Sequence, residues 1–210
     1  MKPFTRNEIL GVSIILVCLG AITFKNMQVA IRRSRDSQRR ADLGAISNAL
    51  NKYQQDFGFF PPSEDGKIKA CKGANFELVI KKFKEKEFNQ NKFFTEALTT
   101  CEWGEDSLTD LGLFENGLFS YLKAIPRDSK YSEGVSYLYL SNTKRYQLYA
   151  YLEGEESEDT FNPDIVERDL ECGNKVCSFG KSFADTPLDK SIEEYEQELL
   201  EELNTGGVRL

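Results

Sequence analysis

Apolar residues fill the start of the chain and then thin into a helical rhythm. Residues 9–24 form an uncharged apolar run behind the opening Phe4-Thr5-Arg6-Asn7-Glu8. The run passes, without Pro or a turn cluster, into a basic segment at 32–40 and then into residues 41–57. There Leu43, Ile46, Leu50, Tyr53 and Phe57 recur at spacings of 3, 4, 3 and 4. That rhythm lines one face of an α-helix and excludes strand alternation. Gly58 suits a left-handed helix end, and Pro61-Pro62 bars continuation. The stretches read as one helix from Glu8 to Phe57, ~75 Å long at about 1.5 Å per residue. A small domain cannot bury such a rod, so part of it must lie in lipid or against other chains.

The apolar run is sixteen residues, short of the ~20 that span a bilayer. Lys25 can snorkel, and Met27, Val29, Ala30 and Ile31 extend the apolar surface. A cleaved secretory signal peptide is the alternative, with Lys2 and Arg6 as its basic start. No convincing cleavage site follows, Val17 before Cys18 does not suit a lipoprotein signal, and the unbroken helix favours a retained anchor. Charge alone leaves orientation open. Two basic residues precede the run and six follow by Arg40, which would place the carboxyl side in the cytoplasm; the cysteines argue the reverse.

Beyond Pro62 the pattern changes. Residues 76–100 read as helical, with Phe76, Val79, Ile80, Phe83 and Phe88 on a loose stripe and a further turn near 93–98. Residues 118–125 read as a short helix before Pro126. Alternation then takes over in 135–140, with Tyr137 and Tyr139, and in 145–152, with Tyr146, Leu148, Ala150 and Leu152. Ser141-Asn142-Thr143-Lys144 is turn material, so the two form an antiparallel hairpin. A lone hairpin is marginal in water, and the stripe Leu43, Ile46, Leu50 and Tyr53 is the expected partner. Residues 154–160 read as an acidic loop, and 171–179 as a short strand or hairpin around Gly173-Asn174. A last amphipathic helix is expected at 188–203, with Leu188, Ile192, Tyr195, Leu199 and Leu203 on one face. Packing on its own domain is the plainer use of that face; a docking arm for a neighbour is the other.

The expected fold class is therefore α+β: a long N-terminal helix, membrane-embedded in its first half, packed on a small antiparallel-sheet head. The organisation is an anchor at 1–31, the soluble half of the helix at 32–58, an extracytoplasmic head at 59–187 and an acidic helical tail at 188–210. Charge divides along the same line. Residues 1–58 carry nine Lys/Arg and four Asp/Glu, and the remainder 18 and 30. A basic stalk suits anionic lipid headgroups or acidic neighbours. The acidic head is not expected to bind nucleic acid, which needs clustered Lys/Arg. Lys81, Lys82, Lys84 and Lys86 are interleaved with Glu85 and Glu87, so a solvated helix face is the simpler reading.

Cys18 is alone in the apolar run. Cys71, Cys101, Cys172 and Cys177 all fall in the head, an even number that fits two disulfides in an oxidising compartment. The close pair Cys172 and Cys177 is expected to bridge, leaving Cys71 with Cys101. A Cys₄ zinc site is the alternative, but the spacings are long and no C-x₂-C occurs. Support for catalysis is thin. The chain has no histidine, no P-loop, no G-x-G-x-x-G and no G-x-S-x-G. Glu105-Asp106 lie in a polar loop with no apolar pocket to shift them. Asp159, Asn162, Asp164 and Asp169 lack the EF-hand pattern, and a plain acidic loop is the simpler reading. No enzyme activity, cofactor or metal is expected.

The order of these features resembles the type IV pilins and the pseudopilins of type II secretion. Phe4-Thr5-x-x-Glu8, the apolar run, the Arg/Asp/Gln-rich helix and Phe57-Gly58-x-x-Pro61 carry the resemblance. Tyr121-Leu122, Ile125-Pro126-x-Asp128, Leu148-x-Ala150-x-Leu152-Glu153 and the stretch from Cys172 to Gly180 resemble the head. The resemblance implies a structural subunit of a surface filament or secretion machine, with membrane lipid and other pilin-like subunits as partners. It implies a processing junction between Pro3 and Phe4, although the family has Gly where Pro3 stands. It implies an assembly role for Glu8, whose counterpart pairs with a neighbour's N-terminal amine; a carboxylate in lipid or a helix bundle is costly unless paired. A membrane-anchored extracytoplasmic binding module that does not polymerise is the competing reading.

Overall fold

The computed structural model describes residues 5–85, 88–114, 118–154 and 162–206. Helix α1 (Arg6–Phe57) is a single unbroken helix of 52 residues. Thr5 caps its start, and Gly58, with φ +78°, ends it in the left-handed region that Gly enters without a Cβ penalty. The two halves of α1 differ sharply. The apolar side chains between Ile9 and Ile31 are exposed, whereas Leu43, Ile46, Leu50 and Tyr53 have no accessible surface.

The buried stripe lies under a three-stranded antiparallel sheet of β7 (Leu138–Ser141), β8 (Tyr146–Ala150) and β9 (Phe179–Ser182), with β8 central. Leu138 faces Tyr149 and Ser141 faces Tyr146 across the hairpin; Gln147 faces Ser182 on the other side. Tyr137, Tyr139, Tyr146 and Leu148 join the helix stripe, Phe60 and Trp103 in the main core. The chain is thus α+β, a long N-terminal helix with small antiparallel sheets.

Three two-stranded ladders frame this core. β1 (Ser63–Glu64) and β2 (Lys67–Ile68) form a hairpin whose Gly66 carbonyl accepts from Tyr139 N–H at 2.8 Å. β3 (Cys71–Lys72) pairs with β4 (Leu98–Thr99) beside the Cys71–Cys101 disulfide. β5 (Leu108–Thr109) pairs with β6 (Ser120–Leu122) against α1. A second cluster of Phe76, Val79, Phe93, Ala97, Leu98 and Leu111 joins α2 (Phe76–Glu85) to a π-helical turn, Phe93–Ala97.

Several elements differ from the sequence expectation. Residues 118–125 hold strand β6, not a helix: the Asp110 carboxylate accepts from Phe119 N–H at 2.9 Å and seats this segment against β5. The helix expected at 76–100 is broken into α2, a short α3 (Gln90–Lys92), the π-helical turn and β4. Asn89 Oδ1 caps α3 by accepting from Lys92 N–H, and the chain then turns extended to meet β3. The short strand or hairpin expected at 171–179 takes the hairpin form around Gly173-Asn174, with Cys172 N–H donating to the Lys175 carbonyl at 2.7 Å, and the strand β9 follows it at Phe179–Ser182. Residues 171–176 make a tight turn closed by the Cys172–Cys177 disulfide and a Glu171–Val176 bridge. A Cβ at Gly173 would lie 2.0 Å from the Gly134 carbonyl oxygen, so only Gly fits there. The last helix, α5 (Ile192–Gly206), starts four residues later than expected. Ser191 and Glu194 form a reciprocal capping box that sets this start, and Leu188 stays outside it. Ile192 is buried, but Leu203 is exposed, so the expected stripe is only partly covered.

Strand β8 is buried on both faces. One packs on α1. The other is covered by the C-terminal segment: Gln147 Nε2 donates to the Pro187 and Lys190 carbonyls at 2.5 and 2.7 Å. Tyr149 packs there with Ile165 and the Cys172–Cys177 bridge.

Leu50→Ala should cost ~2–5 kcal/mol, the usual range for a fully buried Leu, whereas Gln55→Ala, at an exposed position of the same helix, should cost within about 0.5 kcal/mol. Chemical denaturation in detergent, followed through the fluorescence of buried Trp103, measures both; equal effects would mean that α1 does not carry the head.

Candidate functional site

The residues singled out from sequence fall into separate places. Pro3 and Phe4 lie outside the described residues. Glu8 stands in the first turn of α1 and closes a capping box. Thr5 N–H donates to Glu8 Oε2 at 2.8 Å, and Glu8 N–H donates to Thr5 Oγ1 at 3.4 Å. Within the chain the partner of Glu8 is Thr5. The S/T-x-x-E pattern was readable in the sequence. Behind it, the exposed apolar stem presents Ile14, Ile15, Leu16, Val17 and others on all sides, with free Cys18 among them. By length and composition this helix can cross a membrane.

Cys71 is bonded to Cys101, and Cys172 to Cys177. Asp106 lies near the first pair, but its Oδ2 accepts from Glu102 N–H at 2.7 Å and so closes a turn. Of the acidic loop's oxygen donors, Asn162 caps α4 (Pro163–Glu167) and Asp164 sits in its first turn; Asp159 lies outside the described residues. Lys81 and Lys82 are exposed on α2.

Where the bare stem enters the head, a buried ionic clasp forms. Arg39 is 1 % exposed. Its Nε and Nη2 hold both oxygens of Asp128, at 2.6 and 3.1 Å. Nη1 donates to Asp36 Oδ1 at 2.8 Å and to Glu153 Oε1 at 3.0 Å. Arg35 holds Glu153 with two hydrogen bonds, and Glu153 N–H donates to Asp36 at 2.9 Å. Asp128 is anchored in turn by Lys130 N–H at 2.7 Å. Burial alone would lower the Arg39 pKa; hydrogen bonds and charge from Asp128, Asp36 and Glu153 outweigh it and raise the pKa. Hydrogen bonds from Arg35, then the charge of Arg39, hold Glu153 down to about 2.

Sequence reasoning placed 32–40 in a basic segment and missed this clasp. The signal was there: Asp36 and Arg39 continue the stripe of Leu43, Ile46, Leu50 and Tyr53 backward at spacings of 3 and 4, so they must face the head. Farther along α1, Asp42 accepts from Tyr137 OH at 2.7 Å, Ser47 meets Tyr146 OH at 2.7 Å and Asp56 accepts from Tyr121 OH at 2.6 Å.

The head also has an open groove of about 700 Å³, lined among others by Trp103, Tyr131, Tyr137, Leu138, Leu170 and Asp65. It lies between the β1–β2 turn and the Cys172–Cys177 turn.

Arg39→Ala should destabilise the head by ~3–5 kcal/mol, because it strands buried carboxylates; Trp103 fluorescence in a denaturant titration measures the loss. A second outcome concerns pH. Glu153 titrates lower in the folded chain than at its unfolded value of about 4.3, so its contribution is present above that value and is lost as pH falls toward about 2. Stability measured between about pH 5 and 2 should fall less steeply in Glu153→Gln than in the native chain; parallel curves would remove Glu153 from the clasp. Comparison with family models, with curated proteins and with solved structures gives no match to this chain.

Proposed function

We propose that this chain is a pilin-like or pseudopilin-like structural subunit of a surface filament or secretion machine. One observation carries the reading: a single helix whose first half is bare and apolar and whose second half is the core of an acidic head. Such a helix offers lipid-soluble surface for insertion and then for packing against copies or homologous subunits. In this reading residues 9–31 span the membrane once and the head stands outside the cytoplasm. The two head disulfides support that side, because they persist in oxidising compartments. They outweigh the basic residues behind the apolar run, of which Arg35 and Arg39 serve the clasp. The resemblance of residues 4–180 to pilins supports the same reading, and Pro3 marks its departure at the processing junction.

The groove favours a second reading, an anchored extracytoplasmic binding module that does not polymerise. Its aromatic and aliphatic lining with a few polar groups suits a small ligand or peptide.

Glu8→Ala separates the two. Glu8 sits where the helix meets the headgroup region and touches nothing in the head, so the variant should leave the head's denaturation midpoint unchanged. Recovery of cross-linked assemblies from membranes should fall several-fold. Native-level assembly in the variant, or an absence of assemblies from the native chain, would count against the subunit reading.

A further inference from the structure

The carboxyl end of α1 borders a second hollow, separate from the groove. It is a shallow cavity of about 220 Å³, lined by Phe57, Phe59, Phe88, Phe93 and Phe114, with Leu113 and one charged group, Asp56. Phe88 is 56 % exposed and Phe114 41 %, so solvent reaches the cavity. Among the described residues no Lys or Arg lines it.

The rings form walls, not a stack. Phe57 is inclined by 65° to Phe114 and by 51° to Phe59. Phe93 is inclined by 66° to Phe59 and by 54° to Phe88. Tyr53 stacks on one face of Phe57 at 4.2 Å, which leaves that ring its other face and its edge for new contacts. An aromatic face carries negative potential and attracts a cation. The head uses that attraction nearby: Lys72 Nζ lies 4.7 Å from the centre of the Phe76 ring, in the same apolar cluster as Phe93.

Two further sources of potential have the same sign. Asp56 Oδ2 accepts from Tyr121 OH at 2.6 Å, which pins the carboxylate, while Oδ1 has no hydrogen-bond partner among the described residues. Phe57 is the last residue of α1, and the final turn of that helix holds no basic residue. The helix therefore ends at the cavity with the negative pole of its dipole uncompensated from within. Gly58 N–H donates to the Gln54 carbonyl at 2.8 Å, but the carbonyls of Gln55, Asp56 and Phe57 accept nothing from the described residues. Ring faces, carboxylate and helix end all favour a positive charge.

We infer that this cavity is a binding site for a small quaternary ammonium ion. The walls select the chemistry. Ca²⁺ or Mg²⁺ takes about six to eight oxygen ligands, whereas the side chains here offer carbon and a single carboxylate. A primary ammonium is strongly hydrated and would shed its water against phenylalanine. A trimethylammonium group meets the same rings with methyl groups and keeps its charge. Pockets for drug-sized ligands run to ~300–1,000 Å³, so about 220 Å³ admits an ion of head-group size. The site lies ~40 Å beyond Ile31 along α1 at 1.5 Å per residue, out of reach of a bilayer around the stem. The inference goes beyond the subunit reading and holds whether or not the chain polymerises.

The test is saturation-transfer NMR on the full chain in a maltoside detergent, which carries no ammonium group. Tetramethylammonium and choline should both bind. The neutral carbon isostere of choline, 3,3-dimethylbutan-1-ol, and the primary amine methylammonium should each bind at least about fivefold more weakly. Asp56→Asn keeps an acceptor for Tyr121 and removes the charge; Phe114→Leu keeps an apolar wall and removes a ring. Each should weaken choline binding at least about threefold, with an unchanged denaturation midpoint by Trp103 fluorescence as evidence that the head is folded. Phosphocholine binding as tightly as choline would support the site and make a lipid head group the source; weaker binding would support it with a free solute as the source. Absence of binding by both quaternary ions would overturn the inference. So would equal binding of the neutral isostere, tighter binding of methylammonium, or choline binding that neither variant changes. None of these outcomes bears on assembly, so the subunit reading stands or falls separately.

Discussion

A charged guanidinium buried at the junction of stem and head constrains the whole molecule. Arg39 can remain there only while carboxylates surround it, because an uncompensated buried charge costs several kcal/mol. Those carboxylates come from three places: Asp36 on the same helix, Asp128 before the 3₁₀ turn Tyr131–Glu133, and Glu153 after β8. Their geometry is met at one position of the head along the stem. An apolar stripe alone repeats every three or four residues and tolerates a slip of one turn, about 5.4 Å. The clasp does not. Asp42, Ser47 and Asp56 add polar contacts along the same helix, each to a tyrosine hydroxyl of the head.

With that register set, the sheet has a defined floor. The tyrosines of β7 and β8 bring large area to the helix and keep their hydroxyls bonded: Tyr139 to the Pro61 carbonyl, Tyr146 to Ser47. The roof of β8 is made of chain that comes much later, from Arg168 and the Leu188 and Lys190 carbonyls. The Cys172–Cys177 turn packs with this roof, and the Cys71–Cys101 bond holds the wall opposite.

How much of this could be read in the sequence depended on range. The helix stripe from Leu43 to Phe57, the cap at Gly58 and the β7–β8 hairpin were legible, because each is a local periodicity with a local stop signal. Strand β6 was not: Leu118, Phe119, Tyr121 and Leu122 in and before it fit either period over so short a stretch, and the hydrogen bond that settles it comes from Asp110, at the end of β5. The break after α2 was signalled by Asn89 as a cap, but a run of phenylalanines on both sides imitated continuity. Ser191 with Glu194 was a readable helix start that Leu188 disguised by falling in phase. The burial of both faces of β8 was illegible, since it depends on residues some forty positions away. Of the candidate site, the bare stem and Glu8 were visible directly. Arg39 was visible only if charged residues are allowed to occupy an apolar stripe, which composition-based reading excludes.

The unbroken run of α1 has a mechanical consequence. A helix that passes from a bare apolar stem into the core of a domain without a hinge makes the two one lever. Arg39 near the entry and Tyr53 near the far end grip the head at points ~21 Å apart along the axis at 1.5 Å per residue. A sideways load on the head therefore reaches the stem as a couple shared between an ionic grip and an aromatic one. A pull along the stem loads the clasp in shear, and no strand has to peel from its neighbour first. The head is fastened to its rod in the way a blade is fastened to a tang, by length and by a pin near the shoulder.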